Sequence, residues 1–329
     1  MDRNELLRAS VLCSRSLRAN LKTVDAEGRP RTLLVAGDHQ FHSIWTRDFG
    51  FAAGGLMRIG EFQAVRDTLD ELLAHQRVDG LFPYILDSYS RHTHYARLIF
   101  GSKIPLKKPL YPKFYDESPS NALIINAACR YALQADQPGW AGLVLPKLEA
   151  ALAYENSRSS IVFFTQLQRW HAACALTDLL ASLGRKRDAE SRRSEASMLA
   201  RRIDASYWDE TRGFYHDTLE RPLLGAESNL AAAAWGLASK DQAARIVRAI
   251  DRAGAWTTPA PLWSKALGLR VLGQTGRQSL LTQTFSKIFS QLDREDGVSE
   301  TPTSWNAGML LEAFHELLTT DEVSCESHS

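Results

Sequence analysis

The chain has 329 residues, of which 44% are hydrophobic and 23% are charged, which is the composition of an ordinary folded domain. Its 39 lysines and arginines nearly balance 38 aspartates and glutamates, and no basic run is long enough to bind nucleic acid or an anionic membrane. No segment reaches the roughly eighteen apolar residues of a membrane span, and no signal peptide is recognisable. Four dispersed cysteines have no paired spacing. We therefore expect a cytoplasmic protein with reduced thiols and with neither nucleic-acid nor membrane partners.

Helical periodicity dominates the chain, and the alternation typical of strands is scarce. Residues from 319 onward form a short polar tail that we expect to fray. Twelve helices are predicted, separated by turn-forming residues, over 4–22, 46–59, 61–76, 118–135, 140–153, 163–184, 187–206, 227–237, 239–253, 260–273, 277–291 and 304–318.

Short connections alternate with long polar loops at 77–118, 154–160, 207–226 and 293–303. Six helical hairpins with long loops after alternate helices predict an all-α protein, a single (α/α)6 toroid covering 1–329. In such a toroid an inner ring of helices packs on an outer ring, and the long loops converge on one mouth. An α-solenoid is the main alternative, but it requires internal repeats, and we find no self-similar motif.

A polar cluster begins the second predicted helix, where Trp45, Thr46, Arg47 and Asp48 follow one another. One interpretation is structural: a helix N-terminus with an Arg47–Asp48 ion pair. The other is a sugar site, because an indole offers a flat face for C–H groups while a guanidinium and a carboxylate bind hydroxyls. Burying such a cluster is costly unless each polar group finds a partner.

Several segments resemble the six-hairpin glycosidases, among them the amylo-1,6-glucosidase domain of glycogen-debranching enzymes and the alkaline/neutral invertases. Residues 43–49 are similar to their W-x-R-D helix start, and residues 76–83 are similar to the Q-x-x-D-G-x-x-P segment that follows it. Weaker similarities occur in the family's order at 115–120, at 163–166 with 207–210, and at 304–308. The resemblance covers about residues 40 to 318.

The resemblance implies an inverting glycoside hydrolase that acts on a small α-glucoside or a sucrose-like sugar. Arg47 and Asp48 would hold the hydroxyls of the terminal sugar, and Trp45 and Trp305 would wall the pocket. Asp116 belongs to the acidic loop before the fourth helix and would also contact the substrate. A guanidinium suits this role because its fork holds two oxygens in fixed geometry.

Inversion requires a carboxylic acid that protonates the leaving oxygen and an opposing carboxylate that activates water. The resemblance places the acid between the fifth and sixth helices, where Glu155 is the one carboxylate. The alternative for Glu155 is a solvated ion pair with Arg158. The base belongs before the last helix, where Asp293 matches the family's position and Glu300 and Glu295 compete with it. A charged surface turn accounts for at least two of the acids in that run.

The sequence predicts no metal and no cofactor. His39 with His42, and His92 with His94, have no further ligand at suitable spacing, and no nucleotide-binding or nucleophile motif occurs. Two alternative functions stay open. A sugar isomerase or epimerase on a related toroid predicts two histidines facing each other across the mouth. A diverged, non-catalytic sugar-binding relative predicts a pocket with a single carboxylate.

Overall fold

The computed structural model describes residues 1–26, 29–37, 43–87, 108–111, 120–254, 256, 262–295 and 304–326. Twelve α-helices lie within these residues, in agreement with the predicted number. They are α1 (Arg3–Ala19), α2 (Thr46–Arg58), α3 (Phe62–Ala74), α4 (Ser120–Gln134), α5 (Pro138–Asn156), α6 (Phe163–Ser182), α7 (Lys186–Tyr207), α8 (Ala226–Ala234), α9 (Lys240–Arg252), α10 (Leu262–Gln274), α11 (Gln278–Glu295) and α12 (Ser304–Glu326).

The even-numbered helices form a closed inner ring, in which each contacts the next and α12 returns to contact α2. The odd-numbered helices surround this ring, and each packs on an inner neighbour. Ring closure distinguishes the fold from an open solenoid and confirms the predicted (α/α)6 toroid. Apolar side chains of both rings make one continuous core.

Glycines let the inner helices approach closely where α2 meets its two neighbours. A Cβ added at Gly308 would lie 2.5 Å from the Cα of Ala52, and one added at Gly55 would lie 2.5 Å from the Cα of Gly308. A Cβ at Gly50 would lie 2.5 Å from Leu123 Cβ on α4. The ring around α2 therefore depends on backbone-to-backbone packing that a larger residue would disrupt.

Short antiparallel strands join the helices: β1 (Leu21–Ala26) with β2 (Arg29–Leu34), β3 (Ile44–Trp45) with β4 (Ile85–Asp87) and β5 (Lys108–Leu110), and β6 (Trp208–Asp209) with β7 (Phe214–Tyr215). The β1–β2 hairpin occupies a region predicted as a helix end and a loop. Side chains of α3 stabilise it, because the Thr32 amide donates to Asp67 and the Leu34 amide donates to the Thr68 hydroxyl.

Three helix ends differ from the prediction. Helix α5 continues through Glu155, which was expected in a loop, and α11 continues through Asp293 to Glu295. Helix α12 extends past the expected end at Leu318 to Glu326. No helix in the described ranges is long and apolar enough to cross a membrane.

Candidate active site

The inner helices begin at the same end of the barrel, which we call the mouth, and contacts between their first turns hold them together there. The backbone amide of Trp263 in α10 donates to Asn306 Oδ1 in α12 at 3.0 Å. Ser304, the first residue of α12, donates its amide and its hydroxyl to the carbonyl of Ala36 at 3.2 and 3.1 Å. Residues that begin different inner helices are therefore brought together at the mouth.

Five aromatic side chains from five inner-ring segments form what we call the aromatic layer: Phe51, Phe164, Trp235, Trp263 and Trp305. Trp263 lies 5.8 Å from Trp305, 5.9 Å from Phe51 and 6.2 Å from Phe164, measured between ring centroids. Phe164 in turn stacks on Trp235 at 6.1 Å. Contacts between aromatic rings stabilise the layer in addition to the stability gained by burying their apolar surface. The layer gives the mouth a broad apolar floor.

The start of α2 is held at the mouth by the small β3–β4–β5 sheet. Trp45 pairs with Ile85 in the sheet register, and the Thr46 amide donates to the Tyr84 carbonyl at 3.0 Å. The Trp45 and Tyr84 rings meet edge to face, with their centroids 6.3 Å apart. Trp45 is the N-cap residue and makes no side-chain capping hydrogen bond. Side-chain capping therefore does not explain this cluster.

Arg47 and Asp48 form an ion pair of unequal exposure. Arg47 Nε lies 3.6 Å from Asp48 Oδ1, the Arg47 side chain is 49% exposed, and its guanidinium carbon lies 5.0 Å from the Trp305 ring centre. Asp48 is buried, and its Oδ1 accepts no hydrogen bond from any residue that the structure describes. Burial raises the pKa of Asp48 to about 6 although Arg47 lowers it. The site thus holds a buried carboxylate that is ion-paired with an accessible guanidinium, lies near an indole and accepts no hydrogen bond at Oδ1 from the described residues.

Glu155 lies in the outer wall of the barrel. It is buried in α5, and its Oε2 lies 3.5 Å from Nε of the buried Arg169 on α6. Burial raises the pKa of Glu155 while Arg169, and more weakly Arg158, lower it. Arg169 also donates to the Arg158 carbonyl at 2.9 Å and lines an external groove of about 510 Å³ between α5, α6 and α7. Glu155 therefore interacts with Arg169 and not with the Arg47–Asp48 pair.

Other predicted site residues fall outside the described part of the structure. Asp116 and Glu300 lie beyond the described ranges, and for Asp293 and Glu295 only the backbone, in the last turn of α11, is described. Their roles stay predictions. Trp305 is described, and its contacts with Arg47 and the aromatic layer bring it to the same end of the barrel as Asp48.

Two carboxylates that the sequence analysis did not select line a cavity of about 490 Å³ next to the aromatic layer. Asp217 and Glu227, near the start of α8, share this cavity with Phe164 and Trp263. Burial and the neighbouring charge of Asp217 raise the pKa of Glu227. Its position in the sequence could have indicated Glu227, because it follows Gly225 at the start of an inner helix, as Asp48 follows the loop before α2. Lys265 lines the same cavity.

The segment similar to Q-x-x-D-G-x-x-P is joined to α4 and α5 by hydrogen bonds. Gln76 donates to the carbonyls of Gly80 and Lys147 at 3.0 and 2.9 Å, and Gly80 adopts φ 94°. A Cβ at Gly80 would overlap the Ala150 carbonyl of α5. Asn121 accepts the Phe82 amide at 2.9 Å and donates to Gly80, which fixes this turn to α4. The motif therefore positions the loop that precedes the β4 strand, and its contacts are structural.

The described residues contain no group of three or more His, Cys, Asp or Glu side chains placed to hold a metal ion. His39, His42, His92 and His94 lie outside them. His171 packs parallel to Trp235 at 4.6 Å, and its pKa is lowered to about 3 by burial and by Arg130 and Arg270.

No family model and no curated protein sequence matches the chain. Solved structures of similar fold include glycosidases. A rhamnosidase from Klebsiella oxytoca with rhamnose bound is 12% identical, with a TM-score of 0.68 over 94% of this chain. A GH78 family rhamnosidase of Bacillus sp. GL1 is 16% identical, with a TM-score of 0.66 over 94%. A GH63 mannosylglycerate hydrolase from Thermus thermophilus in complex with Tris and D-glycerate is 13% identical, with a TM-score of 0.65 over 92%.

These likenesses establish the fold class, an (α/α)6 toroid of the type used by GH78 and GH63 glycosidases. At such low identities they do not single out the amylo-glucosidases or invertases that the sequence resembles. The chain covers 63% and 34% of the two rhamnosidases but 99% of the Thermus hydrolase.

Proposed function

We propose that the protein is a glycoside hydrolase that holds one sugar ring at the mouth of the toroid. The observation that carries the proposal is Asp48, a buried carboxylate whose Oδ1 accepts no hydrogen bond from the described residues. Arg47 pairs with this oxygen by charge at 3.6 Å, but a buried acceptor that lacks a hydrogen bond is still costly, and a sugar hydroxyl would donate one to it. The glycosidases of similar fold support this assignment at the level of architecture.

Arg47 and Asp48 take complementary roles toward the sugar. The guanidinium donates to two hydroxyl oxygens and, lying over Trp305, keeps its planar orientation through a cation–π contact. Asp48 accepts from a hydroxyl. Trp305 and Trp45 present apolar faces to the C–H groups of the ring. The combination recognises a neutral, hydroxyl-rich ligand, and it carries no charge that would select an anionic sugar.

Hydrolysis with inversion needs two further carboxyl groups. The acid gives its proton to the glycosidic oxygen as the bond from that oxygen to the anomeric carbon breaks. The base takes a proton from water, whose oxygen bonds to the opposite face of that carbon. Glu155 as the acid and Asp293 or Glu300 as the base are carried over from the resemblance. Glu227 is a second candidate for the acid, because burial raises its pKa and its cavity shares Trp263 and Phe164 with the mouth.

The function is tested with a panel of glycosides followed by NMR of the first-formed anomer. The panel contains sucrose, trehalose, maltose, isomaltose and glucosylglycerate, together with mannosylglycerate and an aryl α-L-rhamnoside, the last two chosen from the proteins of similar fold. Hydrolysis with inversion supports the proposal, and net retention in the first-formed sugar contradicts the mechanism. Interconversion of free sugars would favour an isomerase, and saturable binding without turnover would favour a sugar-binding relative.

The acid is identified by comparing Glu155→Gln with Glu227→Gln, each at matched folded fraction. Loss of the acid lowers kcat by about a hundredfold to ten-thousandfold for natural glycosides, whose leaving groups need a proton. A substrate with a good leaving group, such as a nitrophenyl glycoside, loses much less. If Glu155→Gln turns over natural substrates at the wild-type rate, Glu155 is not the acid. If Glu227→Gln also turns over natural substrates at the wild-type rate, neither residue is the acid.

A further inference from the structure

A second chamber opens at the opposite end of the barrel, where the inner helices approach their C-termini. It has a volume of about 340 Å³. We call it the rear chamber. Phe51 and Trp235 of the aromatic layer line it, so the layer lies between this chamber and the beginnings of the inner helices. Its polar lining consists of Asn126, Arg130, His171, Arg270, Glu312 and Glu316.

The charged groups of the rear chamber compensate one another. Arg130 forms an ion pair with Glu312, and Arg270 Nε donates to Glu316 Oε2 at 2.9 Å. Burial would raise the pKa of Glu312, but Arg130 and then Arg270 outweigh it, so this carboxyl stays ionised. With His171 neutral at physiological pH, two cations face two anions. The chamber therefore offers hydrogen-bond donors and acceptors without net charge.

Asn126 supplies an acceptor that no described residue uses. Its side chain is 6% exposed and lines the chamber. Its Nδ2 donates to the Ala122 carbonyl at 2.9 Å, which fixes the amide orientation, and its Oδ1 accepts no hydrogen bond within the described ranges. A buried amide oxygen in this state favours a ligand that brings an N–H or O–H group to it.

Gly54 lies in the wall of the rear chamber next to the Arg130–Glu312 pair, and its lack of a side chain leaves space there. A Cβ added at Gly54 would overlap the Glu312 carboxylate and lie 2.7 Å from Arg130 Nη1. An alanine at this position would therefore push the Arg130–Glu312 pair into the chamber. Gly54→Ala therefore reduces the chamber volume and displaces the ion pair while every polar group of the chamber is kept.

We propose that the rear chamber binds a neutral polyhydroxylated molecule of monosaccharide size. Its volume is at the lower end of the range for small-molecule sites. Balanced guanidinium and carboxylate groups suit hydroxyls, which both donate and accept, better than they suit an ion. The Asn126 oxygen takes one hydroxyl proton, while the remaining N–H groups of Arg130 and Arg270 donate to hydroxyl oxygens. The site is separate from the mouth and does not depend on the proposed hydrolase activity.

The test uses ¹⁹F NMR of the full chain labelled with 5-fluorotryptophan. Trp235 reports on the rear chamber and Trp305 on the mouth, and their resonances are assigned with Trp235→Phe and Trp305→Phe. D-Glucose, L-rhamnose, myo-inositol and glycerol are titrated as probes, with sodium chloride and sodium acetate as ionic controls. We expect a saturable shift of Trp235 with at least one polyol, with a Kd on the order of 10 mM. The shift should persist in the mouth variant Arg47→Ala/Asp48→Asn.

Two chamber variants complete the test. Asn126→Leu removes the free acceptor, and Gly54→Ala fills space. Each should raise the Kd measured from the Trp235 shift about tenfold and leave the Trp305 shift unchanged. Using both keeps the test decisive if one variant does not fold. The proposal is overturned if Trp235 does not respond to any polyol or responds only to the salts. It is also overturned if the mouth variant abolishes the response, or if a folded chamber variant binds the polyol with the wild-type Kd.

Discussion

Replacing Asp48 by asparagine should stabilise the protein while it weakens the sugar site. The carboxylate is buried, and its pKa is raised to about 6 from an ordinary 3.8. At roughly 1.4 kcal/mol per pH unit, this difference costs the folded state about 3 kcal/mol at neutral pH. Asparagine has nearly the same shape and no charge to bury. Losing the ion pair with Arg47 lowers the free energy of unfolding only slightly, because Arg47 is half exposed.

The stability difference between Asp48→Asn and the wild type should depend on pH. The folded-state pKa lies above the unfolded one, so Asp48 binds its proton more tightly in the folded protein. The cost is absent below pH 3.8, where both states are protonated, and it grows as the pH rises toward 6. The free energy of unfolding of Asp48→Asn should exceed that of the wild type by up to about 3 kcal/mol at pH 7.5. The gap should shrink to ~0.5 kcal/mol at pH 4.

Urea denaturation followed by far-ultraviolet circular dichroism, at several pH values between 4 and 8, measures this gap. Asp67→Asn is the matched control. Asp67 is buried like Asp48, but it accepts hydrogen bonds from the Thr32 amide at 2.8 Å and from Gln63 at 2.7 Å. Its amide variant should lose about 1 kcal/mol or more. Equal or lower stability of Asp48→Asn at pH 7.5, or a gap that does not vary with pH, would refute the reasoning.

Three further substitutions test the surrounding structure. Arg47→Lys keeps the charge but loses the fork, so KM for the sugar substrate should rise about tenfold with little change in stability. Gly308→Ala places a methyl group against the backbone of α2 and should reduce the free energy of unfolding by about 1–3 kcal/mol, as measured by urea denaturation. Glu155→Gln removes a carboxylate whose pKa is raised more by burial than it is lowered by Arg169, so that free energy should rise slightly at neutral pH, as for Asp48→Asn.

Each of these has a control or a contradicting result. Gly142→Ala, in a helix position where an added Cβ meets nothing within 4 Å, should increase stability by up to about 1 kcal/mol. Tolerance of alanine at both Gly142 and Gly308 would contradict close packing of α2 with α12. An unchanged KM in Arg47→Lys would argue against two-oxygen binding. A clear loss of stability in Glu155→Gln would mean that the pair with Arg169 outweighs the cost of burying the carboxylate.

The number of helices and the ring could be predicted because each helix carries its own apolar stripe and the connections force hairpins. The β1–β2 hairpin could not, because its amides are satisfied by Asp67 and Thr68 of a helix more than thirty residues away. Glu155 was expected in a loop for a similar reason. In the structure it lies in the last turn of α5 and pairs with Arg169 on the next helix, a contact that no local pattern reveals.

The mouth and the rear chamber differ in how far the sequence could indicate them. Trp45, Arg47 and Asp48 are adjacent, so their combination is visible as a motif. Arg130 and Glu312 are 182 residues apart and resemble the ordinary charged surface of two separate helices. Only closure of the ring brings them together, beside Gly54 of α2. A site assembled from several separate helices leaves no signature in a single sequence.

Asp48 at the mouth and Asn126 in the rear chamber each have a buried Oδ1 that accepts no hydrogen bond from the described residues. A buried polar atom without a hydrogen bond costs roughly 1–3 kcal/mol, and folded proteins rarely retain such atoms where an apolar side chain would fit. Asp48 lies on α2 and Asn126 on α4, inner helices whose buried positions are mostly apolar, although Asn126 shares the rear chamber with charged side chains such as Arg130. A ligand hydroxyl would offset the cost at either place, whereas a purely structural role would not require an acceptor. Replacing each acceptor by an isosteric group should therefore raise stability and lower ligand affinity together, and a variant that loses both would show that the acceptor serves the fold instead.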